Sequence, residues 1–164
     1  MASKRTIKGT DYSNVNLEMP STAVAIKPGM LLEYVSSTGL KVQAHATAGG
    51  NVLPLVAVED ELQGKTTLDA YAATAGTKIS CWIPTRGCIA NLRPAHDVAI
   101  AVGDPVESVA AGEIQTHVPD IDSASDVETI YGNQIIGYAL EAHSAVASDG
   151  AEDEDALLIA VRIA

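Results

Sequence analysis

Phenylalanine is absent from the 164-residue chain, and aromatics together make up only 4% of it. A core must therefore be assembled from Val, Ile, Leu and Ala, in keeping with a 47% hydrophobic share that argues against a disordered chain. Long apolar runs are missing too, since none approaches the roughly 18 residues of a membrane-spanning helix. The opening "MASKRTIKGTDYSN" is basic with no apolar stretch behind it, so no secretory signal is expected and the chain reads as cytosolic in origin. Cations are scarcest of all. Ten Lys and Arg face 21 Asp and Glu, a net charge of −11. From Pro94 to Val161 there is no Lys or Arg, against 14 acidic residues. Nucleic-acid binding needs cations aimed at phosphates, so the body of the protein argues against such partners. The acidic surface is read as a solvated one that resists aggregation.

What is present is a succession of short β-branched runs punctuated by Gly, Pro and Asp. "TAVAIK", "LLEYV", "LKVQAHA", "VLPLVAVE", "TKISCWIP", "GCIANL", "PVESV", "EIQTH", "NQIIGYALEA" and "ALLIAVRI" all read as strands. Many short strands at intervals of about 8 to 12 residues predict an all-β fold, a small β-barrel or β-sandwich. Only "TTLDAYAA" and "SDVETIYG" have room for a turn or two of helix. The first twenty residues are polar and without period. They predict an extended N-terminal arm (1–20) ahead of one β domain (21–164), long enough to bury a core without staples.

The chain also repeats itself. "GMLLEYVSSTGLKVQAH" (Gly29 to His45) returns as "GDPVESVAAGEIQTH" (Gly103 to His117), with Gly29 over Gly103, Glu33 over Glu107, and Val42-Gln43-Ala44-His45 over Ile114-Gln115-Thr116-His117. "NVLPLVAVED" and "NQIIGYALEA" follow, each running from Asn through apolar residues to Glu. Two copies are too few for a solenoid. They predict paired hairpin modules in a pseudo-symmetric fold, with glycines where turns require positive φ.

No residue cluster nominates a catalytic site. There is no G-x-S-x-G elbow, and neither cysteine has a His at close spacing. His45 and His117 hold equivalent places, but their surroundings lack the His-x-His or His-x-Glu spacing of a metal site, so they read as strand-end histidines at the surface. His96 and Asp97 are neighbours, and on a strand they would point to opposite faces. His143 reads as the exit cap of an apolar strand. If Pro84-Thr85 tips a hairpin, Cys81 and Cys88 come within disulfide reach, whereas a cytosol would keep both reduced. Asp120, Asp122 and Asp126 lack the Gly and Glu of a calcium loop, and "DGAEDEDA" reads as a solvated hairpin tip. "VGDPVESVAAGEI" invites comparison with lipoyl-type barrels, but Thr38-Gly39 and Ala111-Gly112 stand at the tips where a modified Lys would be needed. No cofactor, metal or catalytic residue is assigned.

From about Pro28 to Ala164 a string of phrases, "VAVEDELQGKTTLDAYAA", "GDPVESVAAGEI", "IIGYALEA" and a closing "LIAVRI", resembles the capsid cement or decoration proteins of tailed viruses. The acidic body and the insertion "PDIDSASDVETIYGN" depart from the family pattern. The resemblance implies a non-enzymatic virion protein on the outside of an icosahedral shell, made in the host cytoplasm and bound to the major capsid protein. It also implies a homo-oligomer, a trimer in preference to a dimer, without nucleic acid or membrane as partner. The arm residues Lys4, Arg5, Thr6, Ile7, Lys8 and Tyr12 are the expected contacts, ordering across an acidic partner surface. The alternative is a soluble ligand- or glycan-binding β-barrel. Glycan sites favour exposed aromatics, and Trp82, between Cys81 and Ile83, is expected to be partly buried.

Overall fold

The computed structural model describes residues 6–8, 16–22, 25–35, 40–65, 70–122, 127–129, 132–145 and 158–164. Within them the chain forms β1 (Ile7–Lys8), β2 (Asn16–Pro20), β3 (Leu32–Val35), β4 (Lys41–Ala44), β5 (Val56–Ala57), β6 (Lys78–Trp82) and β7 (Ile89–Leu92). It continues with β8 (Pro105–Ala110), β9 (Glu113–Thr116), β10 (Asp120–Asp122), β11 (Val127–Thr129), β12 (Gly137–Ala139) and β13 (Ile159–Ile163). A single 3-10 turn, Glu61–Gln63, is the only helical element among the described residues. The fold is all-β. The helical expectation for "SDVETIYG" gives way to β11, which pairs with β10 inside the insertion. Val and Thr, both β-branched, suit a pleated ladder better than a helical turn.

Four antiparallel sheets result, ordered β1-β7-β13-β12-β8-β9, β2-β6-β5, β3-β4 and β10-β11. Beneath this lies a complete tandem repeat. One half is β2, β3, β4, β5 and β6; the other is β7, β8, β9, β12 and β13. The β2–β6 ladder sets Leu17 opposite Cys81 and Met19 opposite Ile79, as the β7–β13 ladder sets Ala90 opposite Val161 and Leu92 opposite Ile159. Trp82 opposes Val56 as Arg162 opposes Tyr138. Leu31 bridges Val56 as Pro105 pairs with Tyr138. Even the loop hydrogen bonds recur. The Gly29 N–H donates to Ala57 and the Gly103 N–H to Ala139, both at 2.8 Å, while the Ala57 N–H donates to Met30 and the Ala139 N–H to Asp104, both at 2.9 Å. Among the described residues no ladder closes either half into a barrel. A parallel bridge, Ser21 to Val42 or Pro94 to Ile114, spans the remaining gap in each.

Two apolar clusters follow from this. Met19, Ile26, Leu32, Val42, Ala57, Ile79 and Cys81 fill the first half. Leu92, Ile100, Val106, Ile114, Ala139, Ile159 and Val161, their counterparts, fill the second. Val56, Val58 and Trp82, on the outer face of the first half, join that second cluster, so the halves are fused by one core.

The hairpin that would set Cys81 opposite Cys88 does not form. β6 belongs to the three-stranded sheet and β7 to the six-stranded one, because this segment is the link between the halves. Both thiols are free and buried, in separate clusters. The N-terminal residues are also drawn in. β1 pairs with the β7 edge, and β2 carries Met19 into the first core.

Candidate functional site

The duplicated hairpins give the most organised polar centre among the described residues. In each, a Glu faces a Gln directly across the ladder: Glu33 opposite Gln43, and Glu107 opposite Gln115. Opposed residues share a face, and so do residues two apart on a strand, which puts the His two positions after each Gln beside the same Glu. Turn hydrogen bonds fix both histidines alike. The His45 N–H donates to Leu31 at 3.0 Å and the His117 N–H to Pro105 at 2.8 Å. The pattern Glu, then Gln-x-His on the next strand, is thus a geometric unit.

The two units are built differently. In the second half, Glu107 and His117 are both buried; His117 Nδ1 lies 2.5 Å from Glu107 Oε2, and Gln115 Nε2 donates to Glu107 Oε1 at 2.9 Å. Nδ1–H donating to the carboxylate is the arrangement this network favours. In the first half Gln43 Nε2 still donates to Glu33 Oε1, at 2.6 Å. His45 Nε2, however, stands 3.8 Å from Glu33 Oε2. Its ring instead reaches Ser108 Oγ at 2.9 Å and the Asn51 carbonyl at 3.3 Å. Ser108 is on β8, so His45 ties the first hairpin to the second half. The surface placement expected for His45 and His117 is therefore wrong: both are buried. Each strand-end histidine sits beneath a neighbouring loop. Both ring nitrogens of His45 have partners, whereas His117 is bonded through Nδ1 alone and its buried Nε2 has none among the described residues.

Buried polar bonds of this kind contribute about 1 kcal/mol each and cost more when one partner is left alone. The carboxylates and imidazoles bond one another, Gln, Ser and a main-chain carbonyl, and His117 Nε2 is left buried without a partner among the described residues. The arrangement orients and ties hairpins. Among the described residues no group of three or more His, Cys, Asp or Glu is placed to hold a metal ion. Sequence reasoning passed over Ser108 because its counterpart is Tyr34, so no repeated residue marks it.

His96 and Asp97 form a couple after all, with Nδ1 2.9 Å from Oδ1. They lie in a turn rather than a strand, which removes the opposite-face argument. His143 bridges Ile100, and burial, helped by nearby His96, holds its imidazole below the ordinary pKa. Burial likewise pushes the Cys81 thiol up to about 12, so it is protonated and unreactive at neutral pH. Trp82, expected to be partly buried, is wholly enclosed.

Of the expected contact residues, Lys4, Arg5 and Tyr12 lie outside the described residues, as do Asp126 and 149–156. Ile7 and Lys8 form β1. Thr6 is buried between the halves. Its N–H and hydroxyl both donate to Glu59 Oε1, at 2.6 and 2.9 Å, and its carbonyl accepts the Asn91 N–H at 2.7 Å. No family model matches this chain, and no curated protein matches it.

Proposed function

We propose that this protein is a structural component of a virion, carried on the outside of an icosahedral capsid, where it bridges neighbouring major capsid subunits and stabilises the shell. The observation that carries this reading is where the chain puts its side chains. Glu33, Glu107, His45 and the Nδ1 of His117 all enter hydrogen bonds that hold hairpins together, while Val102, Tyr138 and Leu140 are left on the surface. A rigid β body with exposed apolar side chains suits binding between large partners better than turnover of small ones. The phrases shared with capsid decoration proteins support the same reading. Many copies, each adding interface, would strengthen a shell by mass action. Self-association as a homo-oligomer belongs to this proposal. So does a capsid contact through the basic residues Lys4 and Arg5, whose charge suits an acidic partner surface.

The test is co-sedimentation of the purified protein with emptied capsid shells, with removal of residues 1–5 as the variant. Binding by the intact protein and weaker binding by the truncated one are expected. Failure of the intact protein to pellet with shells overturns the reading.

A further inference from the structure

The two halves touch each other through non-equivalent faces. The first half's outer face, formed around Pro28, Gly29, Leu31, Val56, Val58 and Trp82, is covered by the second half. Trp82 and Val56 are 0% exposed, and the Arg93 side chain donates from Nε to the Pro28 carbonyl at 2.9 Å. A Cβ added at Gly29 would strike Leu158 and come within 3.4 Å of Arg93. Register places the same face on the second half at Val102, Gly103, Pro105, Tyr138, Leu140 and Arg162. Here nothing covers it among the described residues: Val102 is 65%, Tyr138 47% and Leu140 37% exposed, and a Cβ at Gly103 would meet nothing within 4 Å.

The receiving face shows the converse. On the second half it holds Asn91, Ser108 and Leu158, all buried. Their first-half counterparts, Glu18, Tyr34 and Lys78, are exposed. A contact between unlike faces leaves one of each unused, and such heterologous contacts propagate, closing into a ring or running on as a filament according to the rotation between copies.

We infer that the Tyr138 face of one copy docks on the Lys78 face of a second copy, repeating between chains the contact that joins the halves within one chain. This sharpens the self-association part of the reading above and does not depend on capsid binding. Charge agrees with it. Lys78 stands where Leu158 meets Gly29, so it would arrive beside Gly103 and its neighbour Asp104. The docking face also carries Arg162, and the receiving face Glu18. Tyr138, Leu140 and Val102 supply the apolar centre, rimmed by these charges.

The experiment is light scattering on the full chain and two variants, Tyr138→Asp with Leu140→Asp and, separately, Lys78→Glu, with circular dichroism melts confirming that each is folded. The parent should run as an oligomer and both variants as monomers of 17.0 kDa. An equimolar mixture of the variants should yield a 1:1 dimer, since each keeps one intact face. A monomeric parent would overturn the self-association reading and this contact together. An oligomeric parent whose Tyr138 and Leu140 variant stays assembled would overturn this contact alone. Loss of assembly in that variant but not in Lys78→Glu would mean that the Tyr138 face pairs with itself, overturning the head-to-tail arrangement.

Discussion

The first and second halves share strand order, register and turn hydrogen bonds, yet they place different residues at matching positions. At the outer position opposite β5 or β12, the first half has Trp82 and the second has Arg162. Opposite Ile26 stands Tyr71; opposite Ile100 stands His143. Tyr71 is buried, and its hydroxyl donates to the Val58 carbonyl at 2.8 Å, with burial lifting its pKa to about 12. A shared backbone plan thus tolerates opposite chemistry where the environment differs. The other inner positions stay apolar in both halves because each half has an interior to fill. Outer positions diverge because one half's outer face is inside the molecule and the other's is outside.

Trp82 and Arg162 give the largest expected contrast. Trp82→Ala should lower stability by about 3–5 kcal/mol, since it removes a large buried side chain and leaves a cavity. Arg162→Ala should stay within about 0.5 kcal/mol when the protein is kept dilute. Urea unfolding of both variants checks this, and equal losses would break the contrast between covered and uncovered faces. Next come the two glutamates. Glu107→Ala strands the buried His117 and Gln115 and should cost about 2–3 kcal/mol, whereas Glu33→Ala, with its looser histidine, should cost about 1 kcal/mol or less. Thermal melts of the pair distinguish a buried tie from a surface one.

The smallest effect concerns pH. Because the folded His143 has a pKa below the ordinary 6.5, the unfolded chain binds the proton more readily. Its contribution to stability is therefore complete above pH 6.5 and declines as pH falls below that value. His143→Tyr, which borrows the residue of the first half, should flatten the loss of melting temperature between neutral and mildly acidic pH. An unchanged slope would remove His143 as a source of pH sensitivity.

Much of the fold was legible in the sequence. Alternating β-branched runs located β3 to β9, β12 and β13, and the matched glycines and glutamates exposed the duplicated hairpins. β2 and β7 escaped the duplication because "NLEMP" and "IANLR" share almost no residues. Only their ladders to β6 and β13 reveal them as equivalents. β1 and β2 fall in the stretch that reads as an arm because two residues, Ile7 and Lys8, or the five mixed ones of Asn16–Pro20 carry no period of their own; pairing with β7 and β6 makes them strands. The Glu-Gln-His unit was visible as a recurrence but not as a contact. Whether His45 turns to Glu33 or to Ser108 depends on which strand of the other half lies nearby.

An all-β chain with a branched aliphatic core, an excess of acidic side chains and two hairpins of one design follow from the residues alone. These are local matters of period, turn chemistry and composition, which each segment carries wherever it is placed. Tertiary structure alone decided that Cys81 and Cys88 part into different cores, that Thr6 is locked between the halves, and that one of two matching faces is buried while the other stands open. Those outcomes depend on how two similar units meet. Packing unlike faces together makes equivalent residues inequivalent, and the trace this leaves, Trp82 in one half against Arg162 in the other, is legible only once the ladders bring the two into register.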